Sequence, residues 1–312
     1  MWASSLRITE TVACCTAPIS VIEAATTPVV VTVAWMMSRT SSPRFTVITR
    51  TTHLRNVVPL HHHDGMSDEI PVHGAGLDDR GLVRVGDTVR RPGGEWSPSV
   101  QLLLRDLRDR GFEPAPEPLG RDERGREVLG YLPGHDQGWP MRPHILTDAG
   151  AHDLGRLARR LREVLAACSC PPDARWQSGA GVPGPGESLQ HGDLGPWNLL
   201  WDDAGTITGV LDWDLAEPGD PWYDTGFLAW FTVPFMDDER AHARGFPAPP
   251  DRRARRDAFA AGAGVTPDEL TAIVHDTQSE FARRIVTRDG VWRTFRERGF
   301  HENALADQRW SR

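Results

Sequence analysis

One stretch of this 312-residue chain gathers residues able to do chemistry. It reads His191-Gly-Asp193-Leu-Gly-Pro-Trp-Asn198 and continues through Leu199-Leu200-Trp201. After a turn at Asp202-Asp203-Ala204-Gly205 it runs from Ile207 to Val210-Leu211-Asp212-Trp213-Asp214. Gly195 and Pro196 keep the segment between Asp193 and Asn198 from becoming helical. Apolar runs on both sides of the turn predict a hairpin whose open end brings Asn198 and Asp212 together. An amide oxygen beside a carboxylate is a hard-oxygen pair suited to Mg²⁺ carrying a phosphate. Asp193, outside that pair, is then free to orient and deprotonate a hydroxyl nucleophile. His-Gly-Asp alone recurs by chance, and an Asn in a turn commonly just satisfies backbone. Asp-Trp-Asp at this interval makes the set specific.

Charge supports the location. From Trp176 to Glu239 there is no Arg or Lys, but there are twelve acids. Solvated surfaces usually mix signs, so this stretch asks for cations: Mg²⁺ for some, a cationic hydroxylated small molecule for the rest. Over the whole chain 43 acids face 35 bases, a formal charge of −8, which argues against nucleic acid as a partner. Every base is arginine, because the sequence contains no lysine. His191 is the only histidine near the motif, whereas hydrolytic metal sites usually collect several nitrogen ligands. Cys14-Cys15 and Cys168-x-Cys170 lack metal or redox spacing and are too close for good disulfides, which fits a reducing cytoplasm. No run reaches the roughly 20 apolar residues of a membrane span.

The positioning elements begin after Met66. Residues 1–65 are rich in Thr, Ser and Val without helix or strand periodicity, and read as a disordered leader upstream of the true start. His61-His62-His63 within it has no spaced partner and reads as incidental. Leu82–Val85 and Thr88–Arg91 flank Gly86-Asp87 as a tight hairpin. Ser97 caps a helix with Pro98 at its first position and Val100, Leu103, Leu104 and Leu107 on one stripe, ended by Gly111. Glu127–Leu132 is a further strand. From Thr147 a long helix carries Leu154, Leu157, Leu161, Val164 and Leu165. Thr266-Pro-Asp-Glu269 is a capping box that starts a helix to about Arg288. Strands thus give way to helices near residue 135, an α+β, two-lobed order.

His191-Gly-Asp193-x4-Asn198 followed by Asp212-Trp-Asp214 resembles the aminoglycoside phosphotransferase family of small-molecule kinases. The resemblance covers about residues 70 to 300. It implies a bilobal protein-kinase-like fold: a β-rich N-lobe over 66–134 for the nucleotide, and a helical C-lobe over 135–312 with the catalytic loop and substrate pocket. By the same resemblance Asp193 is the catalytic base and His191 braces its loop. Asn198 and Asp212 hold Mg²⁺, Asp214 is a second acid of that metal set, and Asp224 anchors the catalytic loop from the following helix. Arg90 stands where the family has its phosphate-contacting lysine, and strand alternation lets only one of Arg90 and Arg91 enter the cleft. The family's glutamate partner on the next helix is absent, with Val100 or Gln101 in its place. Gly74-Ala-Gly76 is a faint phosphate-covering loop. Leu129, Tyr131 and Leu132 belong to the hinge that meets adenine through its backbone.

These readings predict an ATP- and Mg²⁺-dependent phosphotransferase acting on a small hydroxylated acceptor, with no nucleic-acid or membrane partner. The rival expectation is a nucleotide-binding regulatory protein of the same fold with little transfer, suggested by the absent helix glutamate.

Overall fold

The Gly86-Asp87 turn joins β2 (Val83–Val85) to β3 (Thr88–Arg91), antiparallel with Arg84 opposite Val89. The structure, a computed structural model, describes residues 69–72, 81–179, 181–247 and 249–311, all within the compact unit Met66–Arg312. The expected leader over 1–65, its triple histidine, Cys14, Cys15 and the Gly74–Gly76 loop lie outside the described residues. With β1 (Ile70–Pro71), β4 (Pro118–Arg121) and β5 (Glu127–Gly130), the two strands make one antiparallel sheet of order β1-β2-β3-β5-β4. Helix α1 (Ser97–Asp109) is inserted between β3 and β4.

Two local expectations are revised here. Ser97 is the first residue of α1, not its cap: its hydroxyl accepts from the Gly94 N–H at 2.8 Å, and Trp96 holds the cap position. The strand expected over 127–132 stops at Gly130, because the Gly130 and Tyr131 amides turn to the carbonyls of Glu117 and Asp87.

Beyond the sheet the chain is mainly helical. Thr147 caps α2 (Asp148–Ala167), its hydroxyl accepting from the Gly150 N–H at 3.0 Å. Leu154, Leu157, Leu161 and Leu165 form the buried stripe of that helix. At Gly155 a Cβ would meet the Phe259 carbonyl at 2.2 Å, so glycine sets how closely α2 approaches α5 (Arg252–Ala263). Every residue of α3 (Tyr223–Thr232) is buried, the pattern of a central core helix. The capping box forms as predicted at α6 (Pro267–Thr287). The short α4 (Asp238–Ala243) and the terminal α7 (Val291–Glu297) and α8 (Phe300–Ser311) complete this half. Two small antiparallel pairs are embedded in it: β6 (Ser188–Gln190) with β9 (Glu217–Gly219), and β7 (Leu199–Trp201) with β8 (Ile207–Val210). The expected bilobal α+β, kinase-like class is thus borne out. Among the described residues no helix is long and apolar enough to cross a membrane.

Candidate active site

The hairpin read from the sequence forms, with Leu199 opposite Val210. At its open end the Leu211 N–H donates to the Asn198 carbonyl at 2.7 Å, which sets Asp212 beside Asn198. Asn198 ends a short 3-10 turn, Pro196–Asn198, and its Nδ2 donates to Asp193 Oδ2 at 2.9 Å. Trp197 Nε1 donates to the same oxygen at 3.2 Å. Both bonds go to Oδ2, which leaves Oδ1 for a substrate group. Burial and the charge of Asp212 push the Asp193 pKa up to about 7, against the pull of the Trp197 and Asn198 hydrogen bonds. Asp212 itself sits at φ +55, the one non-glycine left-handed residue among those described.

A deeper layer holds this loop. Asp224, in the first turn of α3, accepts from the His191 N–H at 2.6 Å and the Gly192 N–H at 2.9 Å. Gly192 has φ +83, and a Cβ there would meet the Leu215 carbonyl at 2.1 Å, so the loop passes where a side chain has no room. The His191 ring is fully buried against Trp213, with centroids 4.5 Å apart. Its Nε2 donates to the Leu211 carbonyl at 2.9 Å and its Nδ1 accepts from the Asp193 N–H at 3.2 Å. Burial lowers its pKa and keeps it neutral. With both nitrogens used by backbone, His191 ties the catalytic loop to the end of the hairpin and is a positioning residue.

The arginine that turns toward Asp212 and Asp214 is Arg91, the neighbour of the one expected there. Arg90 was assigned to the cleft, but its guanidinium turns to the Thr88 hydroxyl and lies 3.9 Å from Asp122. Arg91 points the other way: Nη2 is 2.5 Å from Asp214 Oδ1, Nη1 is 3.4 Å from Asp212 Oδ1, and Nε is 2.8 Å from Glu127 Oε2. Alternation decides this, because Arg91 pairs with Glu127, and Val89 with Leu129, on one face of the sheet. Burial opposes the Arg91 charge, but Asp214, Glu127 and Asp212 outweigh it and raise its pKa above the ordinary arginine value. Glu127, only 1% exposed, is a site residue that sequence reasoning missed. Its sole signal was an acid opening an apolar strand. Asp214, expected in the metal set, is buried against Arg91.

At the hinge, Leu129 is paired within the sheet, and the Tyr131 N–H donates to the Asp87 carbonyl at 2.9 Å. The Tyr131 N–H is therefore spent within the protein. The expectation of a base contact through the Tyr131 N–H is corrected accordingly. The Tyr131 ring lies under the Arg84 guanidinium, 3.7 Å away.

Part of the acid-rich stretch finds cations inside the chain. Glu217, 2% exposed, pairs with Arg284 and Arg288, each at 2.8 Å, and Asp238 pairs with Arg252 at 2.7 Å. Asp212 and Asp214 meet Arg91, and Asp203 meets His135 at 2.9 Å. Asp220, Asp224, Asp237 and Glu187 accept from backbone amides. Arginines from outside the stretch thus offset part of its negative charge.

Residues 172–258 match the model of the phosphotransferase enzyme family, a span that contains the whole catalytic loop and hairpin. That stretch of the chain is similar to the phosphotransferase enzyme family. The resemblance drawn from the sequence, and the reading of the chain as a phosphotransferase, are borne out. Among curated proteins, the trifolitoxin immunity protein of Rhizobium leguminosarum bv. trifolii is 29% identical over 250 residues, spanning 73% of this chain and 93% of that one. The uncharacterized protein YcbJ of Bacillus subtilis (strain 168) is 44% identical over 54 residues, 17% of each chain. Solved structures with a loosely similar fold include the GDP complex of wild-type aminoglycoside 2′-phosphotransferase-IIIa, at 17% identity and TM-score 0.45, covering 79% of this chain and 94% of that one. A microcompartment-associated aminopropanol kinase is similar at 18% identity and TM-score 0.48, covering 80% and 91%.

Proposed function

We propose that this phosphotransferase moves the γ-phosphoryl group of ATP to a hydroxyl of a small molecule. The observation that carries the reading is the convergence of Asp193, Asn198, Asp212 and Arg91 at the open end of one hairpin. In it residues 66–134 serve the nucleotide, and residues 135–312 supply the catalytic loop and the acceptor side. The reading places the protein in the cytoplasm, where ATP is available and the thiols of Cys168 and Cys170 stay reduced.

The donor set fits a magnesium ion. Asn198 spends its Nδ2 on Asp193, which leaves the amide oxygen for a cation beside the Asp212 carboxylate. Two protein oxygens leave most of the coordination shell to phosphate and water, the usual arrangement for this ion. Bound there with nucleotide, Mg²⁺ would neutralise charge on the phosphate oxygens.

The chain's own groups then divide the labour. Asp193 aligns the acceptor hydroxyl through Oδ1 and accepts its proton as the new O–P bond forms. Arg91 holds phosphate oxygens through a guanidinium fork, with Glu127 fixing its orientation from the neighbouring strand. His191 and Asp224 keep the loop rigid, which matters because phosphoryl transfer depends chiefly on positioning. The regulatory-protein alternative drew on the absent helix glutamate. Glu127 provides that carboxylate from β5, so the reason for preferring it falls away.

The test is Mg²⁺-ATP turnover with a panel of hydroxylated acceptors, read by phosphorylated-product mass. Asp193→Asn is expected to bind Mg²⁺-ATP but to lower transfer at least about a hundredfold. A wild-type protein that neither binds nor turns over Mg²⁺-ATP overturns the reading.

A further inference from the structure

Several buried or half-buried arginines among the described residues have carboxylate or carbonyl partners. Arg91 and Arg284 meet carboxylates, and Arg255 donates to the carbonyls of Thr147, Ile145 and Thr232. Arg244 is unlike them. Among the described residues its guanidinium has no carboxylate or carbonyl partner; it stacks on Phe231 at 4.9 Å and faces Trp139 at 5.6 Å. The nearby Asp307 is already taken by Arg240 and by the Trp230 indole. Burial and the Arg240 charge lower the Arg244 pKa to about 10, the sign of a cation short of compensation.

Arg244 follows α4, and a cation at a helix C-terminus is ordinarily explained by the helix dipole. That explanation is weak here, since α4 has six residues and the guanidinium meets rings instead of the terminal carbonyls. The same rings lead to the catalytic centre. Phe231 packs edge-on against Trp197 with centroids 4.8 Å apart, and Trp197 Nε1 donates to Asp193. Two aromatic side chains thus separate the Arg244 cation from the catalytic carboxylate. Trp139, 61% exposed, flanks the cation from the segment after the hinge, and the Arg244 carbonyl accepts from the Met141 N–H at 2.9 Å. A cation between aromatic faces, two rings away from the Asp193 carboxylate, has the chemistry of an anion anchor with an apolar wall.

We propose that Arg244, with Trp139 and Phe231 as its walls, is the acceptor subsite for an anionic group, so that the phosphorylated molecule carries a carboxylate or phosphate besides its hydroxyl. The proposal rests on the phosphotransfer reading of the site. The preference is opposite to that expected from the acidic stretch, and it follows from where the positive charge is left unpaired.

The experiment uses the full chain with Mg²⁺-ATP and acceptors matched in skeleton but not in charge. One set is gluconate, glucose 6-phosphate, glucose and glucosamine. The other is glycerate, glycerol 3-phosphate, glycerol and 3-amino-1,2-propanediol. Product mass gives kcat and KM, and isothermal titration calorimetry gives binding. An anionic member is expected to exceed its neutral and amine counterparts in kcat/KM or affinity by at least tenfold. The carboxylate and phosphate arms separate the two kinds of anion. Arg244→Met is expected to abolish the preference, chiefly through KM, while Arg244→Lys keeps part of it; melting curves establish that both variants fold. Preference for the amine or neutral members, a preference that survives Arg244→Met, or no anionic member binding while Mg²⁺-ATP is turned over, each overturns the proposal. Failure to bind or turn over Mg²⁺-ATP at all refutes the phosphotransfer reading instead.

Discussion

Arg91 and Glu127 face each other across β3 and β5, and their 2.8 Å contact fixes the cleft cation from a strand instead of from the helix that follows it. Helix α1 has no acid in its first turn, and its buried face consists of Ser97, Ser99, Val100 and three leucines. A kinase-like site assembled this way does not depend on the swing of α1 to complete the pair.

Arg91→Ala should therefore lower transfer about a hundredfold or more, the scale of losing one preorganised charge donor at a reacting phosphate. Arg91→Lys should retain part of the activity, because the point charge survives although the fork does not. Arg90→Ala, on the opposite face, should change kcat/KM for ATP by no more than a few-fold. Steady-state kinetics on the three variants check this; equal losses at Arg90 and Arg91 would show that neither facing matters.

At Asp212 stability and function pull apart. A left-handed backbone costs a non-glycine residue about 1 kcal/mol, so Asp212→Gly should raise the melting temperature by about 2 °C or more. The same change removes the carboxylate and should abolish the magnesium dependence of nucleotide binding in calorimetry. A variant that melts lower than wild type would mean that Asp212 is held without strain.

Asp224→Ala strips two loop amides, those of His191 and Gly192, of a charged acceptor. Buried amides left without partners should cost about 2 kcal/mol in urea unfolding and slow transfer as the loop loses its anchor. Asp224→Asn keeps one acceptor oxygen and should fall between the two. An unchanged urea midpoint in Asp224→Ala would refute the anchoring role.

Arg284→Ala should be among the most damaging changes outside the cleft. Glu217 and Arg284 are nearly inaccessible, and the deletion leaves a buried carboxylate with Arg288 as its remaining cation and the Gln190 amide as a neutral donor. Breaking such a pair costs about 3 kcal/mol or more. Chemical denaturation should register it directly, and a loss under about 1 kcal/mol would show that Arg288 and Gln190 together satisfy Glu217.

The residues legible in the sequence were those whose partners lie close along the chain. Asn198 and Asp212 are joined by a two-strand hairpin with a clear turn, and the Thr147 cap and Thr266–Glu269 box are local as well. Harder to read were contacts set by register between distant strands. Nothing near Arg91 points to Glu127, which lies 36 residues on, or to Asp214, 123 residues on. The facing of two adjacent arginines depended on that register, so a motif alignment alone selected the wrong one. Partners of the acidic stretch were hidden for the same reason, since Arg284 and Arg288 answer Glu217 from α6 and its end.

The absence of lysine has a further consequence at Arg91. The phosphate side of this cleft presents no primary amine, so acyl-phosphate nucleotide probes, which label kinases by acylating a site lysine, have no nucleophile to meet. An ammonium clamp begins to discharge near pH 10, whereas a guanidinium held by three carboxylates does not. The alkaline edge of nucleotide affinity should accordingly be flat to well above the pH at which a lysine-clamped site lets go.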